Sequence, residues 1–332
     1  MKLAFILGIT LLGTQVSAES LQGSTTSGPI SPAPSSGLST PQVNALLQAW
    51  NLNDTSNRTT SQLNFRLRRA EIKLSGKVAD VARYFVMIDG AKTIATKDPR
   101  ILQDLGVGFS ITPELEVVAG QFKEPSVAES GLSSGDLPLP ERSMLARRYG
   151  EQREPGVMVV YKHAVGRIAA MVSNGQGANA DAKDVKHFSV RAEVPITREL
   201  QVGAFTRLSE FDFENNGQVG GGIAWKRDVV NLRAEYAMGR NKGITSHAGT
   251  LEGGYRISDN WESVVRYELI RPGAVDLSSV ESIGVNYRIA KNSAKLQGAV
   301  SFLHDAVGKN GSYEPQKGSN GTLMTLAFQA AI

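Results

Sequence analysis

Over most of this 332-residue chain beyond residue 42, apolar side chains recur at every second position, with charged or polar residues at many of the positions between them. That constrains the fold more than any other feature, because a period of two puts alternate side chains on opposite faces of a β-strand. In the clearest segment Val230, Leu232, Ala234, Tyr236 and Met238 share one face, and Asn231, Arg233 and Glu235 share the other. Trp261, Val265, Tyr267 and Leu269 oppose Glu262, Arg266 and Glu268, and Ile283, Val285, Tyr287 and Ile289 oppose Asn286 and Arg288. The pattern predicts strands near 42–52, 63–77, 82–89, 102–111, 115–123, 155–163, 166–174 and 187–195. A second set follows near 199–210, 218–226, 229–239, 247–257, 261–270, 281–289, 294–304 and 322–331, which makes about 16 in all.

Short turns such as Thr112-Pro113-Glu114, Lys226-Arg227-Asp228 and Ser258-Asp259-Asn260 alternate with longer polar connections. Strands of about 9–11 residues with short turns at one rim and long loops at the other are the signature of an outer-membrane β-barrel. The N-terminus agrees: Lys2, the apolar run Leu3 to Leu12 and Val16-Ser17-Ala18 read as a secretory signal peptide over 1–18. No later apolar run reaches the 18–20 residues of a spanning helix, so membrane insertion requires a barrel. Residues 19–41, rich in Ser, Gly, Pro and Thr, read as a flexible tail ahead of the barrel at 42–332.

A barrel of this size is too wide for side chains to fill and encloses an aqueous channel. The one long stretch without alternation, 125–154, is then placed to fold inward from the end of the fifth strand and narrow it, with Pro140 opening a helical turn through Arg148. It carries Glu141, Arg142, Arg147, Arg148 and Arg153, and follows Lys123, so these six are the candidate constriction residues. In the second strand Phe65 and Leu67 are apolar at odd positions, but Ala70, Ile72 and Leu74 at even ones. A β-bulge near Arg68 and Arg69 would turn Arg66, Arg68, Arg69, Glu71 and Lys73 all inward, since an arginine facing lipid at mid-depth costs about 2–4 kcal/mol. With Arg191, Arg233, Arg266 and Arg288 on charged faces, the wall carries a basic excess that favours anions.

Phe65-Arg66-Leu67-Arg68-Arg69-Ala70-Glu71, Ile101-Leu102-Gln103-Asp104, Gly120-Gln121-Phe122-Lys123-Glu124-Pro125 and Pro140-Glu141-Arg142-Ser143 resemble the phosphate-selective porin O and P family. The resemblance implies a trimeric 16-stranded barrel whose third external loop folds in, with basic side chains guiding anions: Lys123 and the loop arginines near the constriction, Arg66, Arg68 and Arg69 on the wall. The chain departs from the pattern in two places. Loop 125–154 has no lysine and sets its four arginines against Glu129, Asp136, Glu141, Glu151 and Glu154, which points to a mixed-charge eyelet. It also ends on Ile332 where such barrels end on Phe.

The expected function is passive diffusion of small hydrophilic solutes and ions with a mild anion preference, in a homotrimer contacting outer-membrane lipid and lipopolysaccharide. No cofactor, metal or nucleic acid is expected: there is no Cys, the four His lack metal-ligand spacing, and a net charge of +4 is too small for a nucleic-acid surface. His187 and Ser189, two apart on one face, resemble the pair of the outer-membrane phospholipase barrel, but Arg191 and Glu193 on the same face place them in the lumen, and no enzyme is expected. The competing reading is a secreted or surface β-rich binding or adhesion protein without channel activity, a β-sandwich for example, because alternation alone does not distinguish a core from a lipid face.

Overall fold

The computed structural model describes residues 37–56, 64–95, 100–178, 186–209, 216–273, 276–309 and 312–332. The expected signal peptide, and the tail up to residue 36, lie outside the described residues. The described chain forms β1 (Gln42–Asp54), β2 (Asn64–Val78), β3 (Ala82–Asp89), α1 (Ala91–Ala95), β4 (Leu102–Ser110), β5 (Leu115–Lys123), α2 (Ala128–Gly131), α3 (Met144–Tyr149), β6 (Arg153–His163), β7 (Gly166–Ser173), β8 (His187–Pro195) and β9 (Leu200–Ser209). It continues through β10 (Gly217–Arg227), β11 (Val230–Asn241), β12 (Ile244–Arg256), β13 (Trp261–Arg271), β14 (Ser278–Ala290), β15 (Ala294–His304), β16 (Ala306–Lys309), β17 (Ser312–Pro315) and β18 (Gly321–Ala331).

Sixteen of these strands close into one antiparallel barrel in chain order, β1 pairing with β18 from Leu46↔Ala331 to Asp54↔Leu323. Closure excludes the two-sheet sandwich. The strands fall where alternation puts them, with boundaries moved by at most about three residues, because the period directly reports which face each residue occupies. The outward face is apolar and exposed, as at Val157, Val159, Tyr161, Leu251, Val265, Tyr267, Ile283 and Phe328, while their neighbours Glu252, Arg266 and Glu268 are buried within. The bulge in β2 is present: Gln48 pairs with Arg69 and Ala49 with Leu67, leaving Arg68 as the extra residue.

The short-turn rim reuses one local solution. In Ile111-Thr112-Pro113-Glu114-Leu115 and Ile196-Thr197-Arg198-Glu199-Leu200, the threonine Oγ accepts from the amides two and three residues on, at 3.0–3.2 Å. Ser258 Oγ does the same for Trp261 N (3.2 Å). In all three the leading isoleucine amide donates to the carbonyl four residues later. Hydroxyl-bearing residues thus hold these turns against competing backbone conformations. At the opposite rim one connection is shorter than expected. Strands β11 and β12 meet in the two-residue turn Lys242-Gly243, both with positive φ (+48° and +79°), as a twist-matched tight hairpin requires.

Candidate functional site

Strand β5 ends at Lys123 and β6 begins at Arg153, so the irregular connection is 124–152, and Arg153 and Glu154 belong to a strand rather than to the loop as the sequence suggests. The connection is hydrogen-bonded to residues of β1, β2, β11–β15 and β18. It contains α2, a 3-10 turn at Ser134–Asp136 and α3. The helix expected from Pro140 begins only at Met144, because Ser143 caps it, its Oγ accepting from Ala146 N (3.1 Å).

The barrel wall supplies what this chain segment lacks internally. Short helices leave unpaired amides at their N-termini and favour negative charge there. Glu235 of β11 accepts from Ala128 N (2.7 Å) and Glu129 N (3.1 Å) at the start of α2, and Glu268 of β13 accepts from Met144 N (2.6 Å) at the start of α3. Between the two helices Leu137-Pro138-Leu139-Pro140 offers carbonyls, two of its residues having no N–H. Lys295 Nζ donates to Leu137 O (2.9 Å), Asn286 Nδ2 to Pro138 O (2.8 Å), Gln329 Nε2 to Gly135 O (3.0 Å) and Gln48 Nε2 to Ser134 O (3.2 Å). Met144, Leu145, Ala146 and Tyr149 pack on inward apolar residues of the wall, among them Trp50, Ala248, Ile270 and Leu303. The hairpin β16–β17, part of a connection expected to be a plain polar loop, adds Tyr313 to this cluster, its hydroxyl 2.7 Å from Ser301 Oγ.

Two buried carboxylates of the loop gather the arginines. Glu129 bonds Arg266 Nη2 (3.0 Å), lies 3.4 Å from Arg233 Nη2 and accepts from both the amide and hydroxyl of Ser143. Arg266 also bonds Glu252 (2.6 Å) and donates to Glu141 O (2.9 Å). Glu141 accepts from Arg68 Nε (2.7 Å), Arg69 Nη2 (2.9 Å) and Arg142 N (2.9 Å), and lies 3.4 Å from Arg147. Burial would raise the Glu141 carboxyl, but Arg68, Arg69, Arg147 and the Arg142 amide outweigh it and hold it well below the usual carboxylate range. Glu129 is likewise lowered, burial being outweighed by Arg266, Arg233 and Ser143. Around Glu141 the group Arg66, Arg68, Arg69, Arg142 and Arg147 stands against Glu71, Glu141 and Glu151, so five cations minus three carboxylates leave a formal +2.

The sequence-derived candidates separate into two kinds. Arg147 is partly exposed, at 34% of its side chain, Arg148 is exposed with its guanidinium 5.9 Å from the Tyr149 ring, and Arg66 and Arg68 are half-buried. Arg142, a constriction candidate, and Arg266, a wall candidate, are buried at 2% and 3%, Arg142 stapling Leu132 O (2.7 Å) to Glu151 (3.2 Å). Lys123 Nζ donates to Ser130 O (2.7 Å), Arg153 binds Asp104 (2.8 Å), Arg191 binds Glu193 (3.0 Å) and Ser126 O, and Arg288 binds Glu262 (2.6 Å). Lys73 is half-buried in β2, two residues from Glu71. His187 accepts from Arg207 at Nδ1 and lies buried with Ser189, so no lipid-facing pair forms. Near the long-loop rim, Lys92, Arg100, Gln103, Glu151 and Arg153 line a cleft of about 190 Å³.

Sequence reasoning did not find the wall residues that hold the loop through Gln48, Asn286, Gln297 and Gln329, nor the inward apolar positions. A signal for the latter exists: alternation breaks into adjacent apolar pairs at Leu269-Ile270 and Phe302-Leu303, whose second members are buried. Arg83 and Phe85 also face inward, where Phe85, Val118, Phe122 and Met171 form a second apolar cluster that the charged-lumen expectation misses.

A family model described as phosphate-selective porin O and P matches residues 47–218. No curated protein matches the chain by sequence. Among solved structures, an anion-selective porin from Comamonas acidovorans is 12% identical, covering 88% of this chain and 99% of its own, with a TM-score of 0.69. The outer-membrane channel DcaP of Acinetobacter baumannii is 12% identical over 89% of this chain and 98% of its own, with a TM-score of 0.62. OmpT of Vibrio cholerae, in a trimer form, is 11% identical over 87% and 99%, with a TM-score of 0.59.

Proposed function

Because the chain belongs to the phosphate-selective porin O and P family, we propose that this outer-membrane porin passes small anions in preference to cations through a passage narrowed by residues 124–152. The observation that carries this reading is the formal excess of positive charge around Glu141, where Arg147 and Arg148 on the loop are accessible and Arg66 and Arg68 lie half-buried in the wall. Fixed charge at a constriction sets which ions enter, and low-dielectric walls sharpen its field. Lys92, Arg100 and Arg153 in the cleft near the outer rim extend the same sign toward the entrance. The similarity to an anion-selective porin supports this direction.

Most arginines here are matched by carboxylates, so the selectivity is mild, and phosphate is one permeant anion among several. The chain acts as a passive channel and not as an enzyme, a reading supported by family and fold. It works as a homotrimer, as the trimeric form of the similar OmpT suggests. Reversal potentials of the purified protein in planar bilayers under a potassium chloride gradient test the proposal. A potential shifted toward that of chloride is expected, and one shifted toward potassium overturns it.

A further inference from the structure

Inside the barrel, most arginines are met by carboxylates. On the outward face of β11–β13, at the long-loop rim, three bases are not. Arg240 near the end of β11, Lys242 in the β11–β12 turn and Arg271 at the end of β13 make no ion pair among the described residues. Their orientation follows from phase. Tyr236, 52% exposed, faces out, and Arg240 is four residues on; Tyr267, 43% exposed, faces out, and Arg271 is four residues on. His247 of β12 shares this face, since its Nδ1 is hydrogen-bonded to Tyr236 Oη (2.6 Å), which leaves Nε2 available.

The register places these groups together. His247 pairs directly with Arg271 and with Met238, two residues before Arg240, and Arg240 pairs with Thr245. Directly opposed residues have Cβ atoms about 4.5–5.5 Å apart, and diagonal ones about 7–8 Å. Arg240 Nε is buried without a hydrogen-bond partner. Among the described residues the carboxylates nearby are engaged: Asp276, which feels Arg271, bonds Lys317 (2.6 Å), and Glu281 on the outward face of β14 bonds His304 (2.9 Å). Below the bases, toward the membrane, run the exposed apolar residues Leu232, Leu251 and Val265 on the same three strands.

The geometry points to a binding site on the outer rim of β11–β13 for the phosphorylated headgroup of an outer-leaflet glycolipid, with Arg240, Lys242 and Arg271 as its cationic contacts and His247 as a hydrogen-bonding one. A lipid is the occupant because the bases crown an apolar face. A phosphate borne by acyl chains lying along Leu232, Leu251 and Val265 arrives at the height of the guanidiniums, whereas a dissolved anion gains nothing from that face. Each basic side chain at an anionic lipid surface adds attraction that multiplies affinity several-fold.

The test uses the full chain in detergent and native mass spectrometry, titrated with bisphosphorylated lipid A and with its phosphate-free counterpart. Wild type is expected to retain the bisphosphorylated lipid selectively. The triple variant Arg240→Gln, Lys242→Asn, Arg271→Gln is expected to weaken it on the order of a hundredfold, and the pair Lys226→Gln, Arg227→Gln at the opposite rim to leave it unchanged. Heat-modifiable migration checks barrel formation. If the triple variant fails to form a barrel, Arg240→Gln and Arg271→Gln alone are each expected to lose roughly fivefold. The site is overturned if the phosphate-free lipid binds as well, if the rim variants bind like wild type, or if the opposite-rim pair weakens binding as much.

Discussion

Replacing Glu141 by glutamine removes one charge from the middle of the arginine cluster while preserving most of the side chain's volume. The carboxylate bonds Arg68 (2.7 Å) and Arg69 (2.9 Å) and lies 3.4 Å from Arg147, so the formal charge of the group rises from +2 to +3 when it is neutralised. A unit charge about 8 Å from a passing ion is worth about 0.5 kcal/mol in a water-like dielectric. An anion gains that amount and a cation loses it, so the permeability ratio shifts by about 1 kcal/mol, or about fivefold toward anions. The shift shrinks in 1 M salt, where the Debye length falls to about 3 Å. The loop also pays: Arg69 is buried, and removing one partner of a buried pair costs about 3–5 kcal/mol, softened here because Glu71 lies 3.7 Å away and Gln48 also accepts from Arg69 (2.6 Å). Reversal potentials at 0.1 M and 1 M potassium chloride read the first effect, and the temperature of heat-modifiable migration reads the second. An unchanged permeability ratio at low salt, with the barrel intact, would refute the placement of this cluster beside the permeation path.

Neutralising the accessible arginines works in the opposite direction: Arg147→Ala with Arg148→Ala is expected to lower the anion-to-cation ratio several-fold at low salt while α3 stays folded, since removing helix C-terminal cations costs only about 0.3–1 kcal/mol each. Arg266→Met removes the contact that links Glu129, Glu252 and Glu141 O, and is expected to destabilise the loop by about 3–5 kcal/mol, read as a larger and noisier single-channel conductance. The carboxyls of Glu129 and Glu141 are lowered in the folded state, so the stability they contribute is present above the ordinary carboxylate range and is lost as pH falls through their depressed values. Protection of 124–152 from hydrogen exchange is therefore expected to fall in acid below the ordinary carboxylate range, as these two carboxyls take up protons. Tyr149→Phe removes a hydrogen bond to Ser246 (2.7 Å) and is expected to cost about 1 kcal/mol with selectivity unchanged, measured by the same migration assay.

The barrel was legible because its information is local. Each strand announces its two faces by alternation, and the phase slip around Arg68 announces the bulge, since three arginines in succession cannot all face lipid. The loop was legible only as an interruption with charges in it. Its helices are four and six residues long, too short to declare themselves by periodicity, and they are held by Glu235 and Glu268, more than a hundred residues away. Nothing near Ala128 or Met144 in the sequence points to those carboxylates. For the same reason Arg142 and Arg148 look equivalent in the sequence, although one is buried among loop carbonyls and the other lies on an exposed helix face. Burial inside a lumen depends on what crosses it, and strand phase carries no record of that.

The central claim is that residues 124–152 form the narrow part of a water-filled path. Replacing 128–149 with a short Gly-Ser link removes α2, α3 and the wall-bound carbonyls together but leaves every barrel strand intact. Single-channel recording of that variant beside wild type is expected to show a several-fold larger conductance and a weaker anion preference. An equal conductance, from a barrel shown to be folded, would contradict the account.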